Sequence, residues 1–153
     1  MSTFLFLVNP TLAYDPYPDW AAWEKVLACG QRPRTRWNTG TRRRGMSVGD
    51  KAIIARVGTH PKGVIGIGEI ASEIWVGPHW NPEAARPETG FVELLIDAIT
   101  PVDDPISTAE LAMIAPGVNF GPRQSGTEIP EDVWRSIADI LGIPDKSAGD
   151  SDL

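Results

Sequence analysis

The chain has 153 residues, of which 42% are hydrophobic, and a formal net charge of −6. This length supports one hydrophobic core, and no apolar run approaches the roughly 20 residues that a membrane-spanning helix needs. The lone cysteine, Cys29, excludes an internal disulfide and is typical of a reducing, cytoplasmic compartment. An apolar run near the N-terminus lacks a preceding basic segment and predicts a buried strand instead of a signal peptide.

The first elements along the chain are a strand and a helix. Residues 4–8 are uniformly apolar, which is typical of a buried strand, and the Asn-Pro pair at residues 9–10 ends it. Asp19 is the predicted N-cap of a helix over residues 20–28, and Gly30 terminates this helix. The spacing of its apolar residues predicts one buried face, formed by Trp20, Trp23 and Leu27.

The middle of the chain predicts further strands joined by loops. Residues 31–49 contain most of the arginines and are interpreted as a loop with one short strand near Trp37. Three apolar runs, at residues 51–57, 63–72 and 91–99, predict strands, and residues 77–90 predict a long loop. Gly66 and Gly68 alternate with isoleucines in the second of these strands. Because glycine weakens a strand, their alternation indicates a bend or the close approach of another element, for which helix packing or barrel closure is preferred over a ligand.

The last third of the chain predicts two helices and a tail. Ser107 and Glu110 have the capping-box spacing and predict a short helix as far as about Ala115. Residues 116–126 form a loop rich in glycine and proline. Pro130 opens a final helix, whose apolar stripe comprises Val133, Trp134, Ile137, Ile140 and Leu141. Residues 145–153 are predicted to form a disordered acidic tail, which leaves residues 1–144 as the single domain.

Four or more strands flanked by three helices predict an α+β fold. The strands are expected to form a small, mainly antiparallel sheet or barrel.

Basic residues are concentrated in one segment of this acidic chain. Between Cys29 and Lys62, seven arginines and two lysines accompany a single acid, Asp50, so this segment carries +8 and the remainder carries −14. A binding face is a local property, so this asymmetry is more informative than the overall sum and predicts a nucleic-acid partner. The alternative interpretation is a solvated basic loop that binds no ligand.

No residue pattern indicates catalysis, a metal site or a cofactor. His60 and His79 have no Cys or His partner at metal-ligand spacing. The glycines of residues 63–68 lie within a strand and lack the helix that follows a dinucleotide fingerprint. Cys29 falls at a predicted helix C-terminus, which is a poor position for a nucleophilic thiol. We therefore expect a protein that is not an enzyme.

Trp37 and the loop at residues 120–127 are the candidate ligand-contacting features. Trp37 stands among arginines, and an exposed indole there is suited to stacking on a nucleobase while the arginines contact phosphates. The alternative is that Trp37 folds back onto the barrel. The loop combines an aromatic residue, a cation, an amide and two hydroxyls with two glycines, a set able to read a base edge. From these residues alone, an ordinary ordered surface loop that leads into the last helix is the preferred interpretation.

Six short segments, in this order, give the chain a resemblance to the EVE domains of the PUA-like superfamily, particularly the N-terminal domain of EVE–HNH endonucleases. The segments are Phe-Leu-Phe-Leu-Val-Asn-Pro (4–10), Arg-Trp-Asn-Thr-Gly (36–40), Val-Gly-Asp (48–50), Pro-Lys-Gly-Val-Ile-Gly-Ile-Gly (61–68), His-Trp (79–80) and Gln-Ser-Gly-Thr-Glu-Ile-Pro (124–130). Two departures from the family pattern are a valine before the first Asn-Pro and Phe120 in place of a tryptophan.

The resemblance implies a PUA-like pseudobarrel of about five to six strands, with a pocket for a flipped, modified base such as methylated or hydroxymethylated cytosine in DNA. It implies that the base contacts Trp37, Asn38, Thr39, Phe120, Gln124, Ser125, Gly126 and Thr127. The implied backbone contacts are Arg34, Arg36, Arg42, Arg43, Arg44 and Arg123.

The same resemblance implies a role in restriction or defence, with any cleavage supplied by a partner nuclease. An RNA-binding PUA-like module is an alternative function within the same class. A small-molecule or protein-interaction module is the alternative from a different class, and the acidic net charge supports it.

Overall fold

Apolar strands that are buried on both faces build the core of this protein, as seen in a computed structural model that describes residues 1–12, 14–78 and 88–144. The predicted acidic tail and the His-Trp pair at residues 79–80 lie outside the described residues. The elements follow one another as β1 (Thr3–Val8), α1 (Tyr17–Ala28), β2 (Arg34–Asn38), β3 (Lys51–Arg56), β4 (Gly63–Ile70), β5 (Trp75–Pro78), β6 (Glu88–Ile99), β7 (Ile106–Ser107), α2 (Thr108–Ile114), β8 (Thr127–Ile129) and α3 (Asp132–Ile140).

The strands of the described residues form one mixed sheet. Hydrogen bonding follows the order β2-β6-β4-β3-β1-β8, with β5 added to β6 and β7 added to β4. β1 and β3 pair in parallel, and the other pairs are antiparallel. The two ends of this order, β2 and β8, do not pair with each other, so the sheet is open. The α+β class and the mainly antiparallel sheet are confirmed. The described residues form eight strands instead of the expected five to six, and three of them, β5, β7 and β8, have only two to four residues each.

The sheet separates two hydrophobic clusters. Phe4, Phe6 and Val8 of β1 pack with the tryptophans of α1 on one face, whereas Leu5 packs with residues of α3 on the other face. Since successive side chains of a strand point to opposite faces, burial on both faces explains why β1 has no polar alternation.

A tryptophan fastens each of the two longer helices to β4. The indole N–H of Trp20 in α1 donates to the carbonyl of Ile65 (3.2 Å), and that of Trp134 in α3 donates to the carbonyl of Gly68 (3.1 Å). A buried indole N–H needs an acceptor, so these bonds fix both helices against the sheet. The predicted apolar stripes are confirmed, except that Ile140 is 46% exposed. Among the described residues, no helix is long and apolar enough to cross a bilayer.

Two helices begin at positions that differ from the predictions. α1 begins at Tyr17, so Asp19 lies in its first turn and does not cap it. Proline is tolerated in a first helical turn because its missing N–H has no intrahelical partner there, which lets α1 start before Asp19. α3 begins at Asp132, two residues after Pro130. Ser107 caps α2 as its spacing predicts, since its hydroxyl accepts from the backbone N–H of Glu110 (3.2 Å).

The glycines of β4 differ in how closely other atoms approach them. A Cβ added at Gly68 would lie 2.2 Å from the carbonyl oxygen of Leu95, at the point where the register of β4 and β6 shifts. At Gly66 the nearest atoms would lie 3.5 Å away, an ordinary contact. The close approach that the sequence indicates is therefore made by the backbone of β6 at Gly68.

Candidate nucleic-acid interface

The free edge of β2 lies along the open side of the sheet. The carbonyl of Pro33 accepts from Ile96 (2.9 Å) and the N–H of Thr39 donates to Gly90 (2.8 Å), so odd-numbered residues of this segment direct their backbone groups toward β6. Because backbone groups alternate in direction along an antiparallel strand, those of Arg36 and Asn38 point away from β6. They supply one wall of a cavity on this open side.

The edge of β1 that faces this cavity is hydrogen-bonded to side chains, beyond the point where its short pairing with β8 ends. The backbone N–H of Leu7 donates to the hydroxyl of Ser125 (2.9 Å), and its carbonyl accepts from the indole N–H of Trp37 (3.2 Å). The next residue, Val8, turns to β3 and accepts from Val57 (2.8 Å). Two side chains thus occupy the position where a paired strand would otherwise close the barrel.

The cavity between these two edges has a volume of about 400 Å³. That volume falls within the range of roughly 300–1,000 Å³ that is typical of ligand pockets. Its walls are apolar and aromatic with several polar groups among them, and they comprise Leu7, Asn9, Tyr14, Asp19, Thr35, Arg36, Trp37, Asn38 and Phe91.

Trp37 lines the cavity but is only 8% exposed. It belongs to the same hydrophobic cluster as Phe4 and Trp20, and Tyr14 meets its ring edge-on, with centroids 5.6 Å apart and an interplanar angle of 63°. Trp37 is therefore packed against the sheet, as the fold-back alternative holds, and is not a freely exposed stacking platform. Residues on either side of it are polar because they alternate to the other face.

Tyr14 and Asp19 line the cavity, although no sequence pattern predicts a functional role for either of them. The Tyr14 hydroxyl donates to the carboxylate of Asp19. Burial, and then this hydrogen bond, raise the pKa of Tyr14 above its ordinary value, so the phenol stays protonated and holds the carboxylate in place. The sequence signal is an aromatic residue just before a tryptophan-rich helix together with an acid in its first turn, and the turn-forming prolines between them obscured it.

The rim of the cavity carries a cation and an amide. The Arg36 guanidinium lies over the ring of Phe91, 5.1 Å from its centroid. The Oδ1 of Asn38 accepts from the backbone N–H of Gly40 (3.2 Å). This bond does not use the two N–H donors of the Asn38 side chain, which can therefore bond a ligand. The cavity thus offers aromatic surfaces, hydrogen-bond donors and one carboxylate acceptor.

A second feature is an open groove of about 540 Å³, lined by residues 41–44 and 124–128. Its first lining residue, Thr41, follows the cavity residue Asn38 by three positions in the chain. The side-chain carbonyl of Gln124 accepts from both the N–H and the hydroxyl of Thr41 (3.2 and 3.0 Å). The Nε of Arg42 donates to the carbonyl of Gly126 (2.7 Å). These bonds join the two predicted functional segments into one structural unit.

The structure divides the predicted base-contacting residues among different places. Trp37 and Asn38 line the cavity, and Gln124, Ser125, Gly126 and Thr127 line the groove. Thr39 is fully buried, and its hydroxyl donates to the carbonyl of Arg42 (2.7 Å). Phe120 lies in a separate cavity with Leu111 and packs against the second hydrophobic cluster. The structure therefore does not bring Phe120 to Trp37.

The predicted backbone-contacting arginines differ in their partners. Arg34 pairs with Glu93, whereas Arg42 lies over the ring of Phe4 at 5.0 Å. Arg43 donates to the carbonyl of Gly40 (2.8 Å), and Arg123 is exposed next to Gln124. Among the described residues, the arginines paired with carboxylates are Arg32, Arg34, Arg56 and Arg135. The charges of Arg36, Arg42, Arg43, Arg44 and Arg123 are therefore not cancelled within that part of the chain.

The described part of the chain contains no cluster of His, Cys, Asp or Glu side chains that could hold a metal ion. An open mixed sheet with three flanking helices defines the described part of the chain as an α+β domain. A family model, that of the EVE domain, matches residues 17–140. The chain therefore belongs to the EVE domain family. Comparison with curated protein sequences gives no match.

Solved structures share this fold at low sequence identity. Human THYN1 protein in complex with DNA containing 5-methylcytosine is 17% identical, with a TM-score of 0.57 over 92% of this chain and 98% of that one. A protein from Pseudomonas syringae is 16% identical, with a TM-score of 0.55 over 91% and 99%. The Mmi1 YTH domain in complex with RNA is 12% identical, with a TM-score of 0.52 over 92% and 77%.

Proposed function

We propose that this protein is a non-catalytic DNA-binding domain that takes one flipped base, a modified cytosine, into the cavity beside β2. One observation carries this proposal: the cavity lies beside a groove that is lined by arginines. The charges of these arginines are not paired with carboxylates among the described residues. In this role the domain supplies recognition, and a separate effector such as a nuclease supplies any cleavage.

The spacing of cavity and groove suits one short stretch of a nucleic-acid strand. Asn38 at the cavity and Arg42 at the groove are four residues apart, so their Cα atoms lie within about 14 Å of each other. A DNA strand rises about 3.4 Å per nucleotide, so both sites reach the same few nucleotides. Flipping a base costs a few kcal/mol, which aromatic contacts of about 1–3 kcal/mol per base and the phosphate contacts can offset.

The polar groups of the cavity match the edge of cytosine. The Asp19 carboxylate is an acceptor for the exocyclic amine of cytosine, whereas thymine presents a carbonyl oxygen at the equivalent position. The side-chain N–H groups of Asn38 and the outward backbone groups of Arg36 can bond the rest of that edge. The rings of Tyr14, Trp37 and Phe91 offer apolar contact to a substituent on the base.

A panel of labelled oligonucleotides tests the proposal by fluorescence anisotropy at physiological salt. The panel comprises one duplex sequence with cytosine, 5-methylcytosine or 5-hydroxymethylcytosine at a single position, and the corresponding RNA. We expect tighter binding to a duplex with a modified base. Equal weak affinity for all duplexes, or none, contradicts the proposal. A preference for the RNA would assign the cavity to an RNA base, which is the partner class in the Mmi1 complex.

Asp19→Asn should reduce the preference for modified cytosine over thymine at the same position by about tenfold. The substitution removes the charged acceptor, and one good base contact contributes about 1–3 kcal/mol of discrimination. Glu24→Gln is the matched control, because it makes the same charge change at an exposed position of α1. Competition titrations with the two duplexes measure the ratio, and an unchanged ratio in Asp19→Asn would exclude this role.

Arg44→Ala should weaken binding to all duplexes alike, and should reduce the slope of log K against log salt by about one. Arg44 lines the groove and is exposed, so it is free to neutralise a phosphate. Arg135→Ala makes the same charge change on α3, where the guanidinium pairs with Asp139 (2.9 Å), and should leave the slope unchanged. Affinities measured at several salt concentrations give both slopes, and equal slopes would argue against a phosphate contact at Arg44.

A further inference from the structure

Exposed apolar side chains lie outside the cavity, on the hairpin of β5 and β6. Trp75 is 38% exposed and Val76 is 52% exposed, and both belong to β5. Successive side chains of a strand point to opposite faces, so Trp75 and Val76 do not form one surface. An exposed indole offers a flat ring for stacking, and we call Trp75 the aromatic ledge.

The aromatic ledge is continuous with the wall of the cavity. Trp75 lies opposite Phe91 in the register of β5 and β6, and their ring centroids are 5.8 Å apart at an interplanar angle of 31°. Phe91 is only 5% exposed and lines the cavity, and Arg36 lies over its ring. A series of π surfaces therefore leads from solvent to the place where the base is proposed to bind.

The position of Trp75 is fixed by its neighbours. Ile74, which immediately precedes it, packs against the first hydrophobic cluster. Gly77 adjoins the stacked rings, since a Cβ added there would be in ordinary contact with Phe91 (3.4 Å) and with the indole nitrogen of Trp75 (3.8 Å). An indole held this way loses little conformational entropy when a ligand stacks on it.

Charge near the ledge favours a base over a phosphate. Glu73 is exposed two residues before Trp75, and Glu88 is exposed opposite Pro78, three residues along β5 from Trp75. These carboxylates repel phosphate groups, whereas a base presents an uncharged face to the indole. The arginines of the groove therefore suit the phosphates of a nucleic-acid strand, and the aromatic ledge suits one of its bases.

We propose that Trp75 stacks on the base next to the flipped one, and so supports the gap that flipping leaves in the duplex. This inference rests on the proposed function, because the gap exists only when a base enters the cavity. Apolar side chains that insert at base steps are a known way to stabilise unstacked DNA, and base–aromatic stacking contributes about 1–3 kcal/mol per base.

The test uses duplexes in which 2-aminopurine, a fluorescent adenine analogue, lies immediately 5′ or 3′ of the modified cytosine. We expect Trp75→Ala to weaken binding about tenfold and to raise the emission of one of these probes in the complex, because the probe is then unstacked on that side. Compared with Trp75→Ala, Trp75→Phe should recover part of the lost affinity and part of the lost quenching of the probe. Met113→Ala, at a residue that is 84% exposed on α2, should change neither, and circular dichroism confirms that each variant is folded.

The outcomes separate this inference from the proposed function. If the wild-type protein binds no duplex in the panel, the proposed function fails and this inference fails with it. If the wild type prefers the modified duplex and Trp75→Ala matches it in affinity and emission, only the role of Trp75 is overturned. Weaker binding by Trp75→Ala with unchanged emission from both probes would also overturn it, since Trp75 would then contact something other than the neighbouring base.

Discussion

Trp37→Ala should lower the free energy of unfolding by about 3–5 kcal/mol, the usual effect of removing a buried tryptophan ring. The ring is 8% exposed and packs within the first hydrophobic cluster. Its indole N–H bonds the Leu7 carbonyl at the open side of the sheet, where no backbone partner replaces it among the described residues. Urea unfolding followed by circular dichroism gives the difference, and a change below about 1 kcal/mol would show that the ring does not support the core.

Trp37→Phe separates the structural contribution of this residue from its contact with a base. Phenylalanine keeps an aromatic ring against Tyr14 but removes the donor to Leu7, which should lower stability by about 1 kcal/mol. Because this variant stays folded, its affinity for the modified duplex reports on the cavity wall. The alanine variant cannot do this, since its loss of binding would include unfolding.

Gly68→Ala should destabilise the protein by about 3 kcal/mol or more, because the new methyl group would lie 2.2 Å from the carbonyl oxygen of Leu95 in β6. Relief would require β4 and β6 to separate at Gly68, whose own carbonyl accepts from the indole N–H of Trp134. For a domain of this size, that loss corresponds to a fall in melting temperature of roughly 6–12 °C.

Gly66→Ala is the matched control, on the same strand and with the same change in side chain. Its Cβ would meet only atoms at 3.5 Å, so the effect should be small and of either sign, with a contribution of about 0.4–1 kcal/mol from the less flexible unfolded chain. Thermal melts of the two variants give the comparison. Equal melting temperatures would contradict the strand contact described at Gly68.

Long apolar segments were predictable from sequence because their composition reflects burial on both faces. β1 and β3 are of this kind, as are the tryptophan faces of α1 and α3. The short strands were not, because a strand of two to four residues has no measurable period. β8, for example, pairs through only three residues with β1, and that pairing depends on contacts far away in sequence.

The candidate site was predicted in part. The segment around Trp37 does form a cavity wall, and its partner residues at 124–127 do lie nearby. The burial of Trp37 was one of two open alternatives, although Arg34, Arg36 and Asn38 alternate with it along β2 and indicate an inward position. The meeting of Tyr14 with Trp37 depends on where α1 packs, which local sequence does not specify.

The side-chain closure at Leu7 makes affinity and selectivity interdependent. One residue of β1 holds the groove loop through its N–H and the cavity wall through its carbonyl. A shift of this strand end therefore moves the proposed phosphate-contacting and base-contacting surfaces together, and by linkage the two proposed binding events affect each other to the same extent. If the proposed function holds, we expect substitutions at this strand end that change the affinity for a nucleic-acid strand to change the base preference as well.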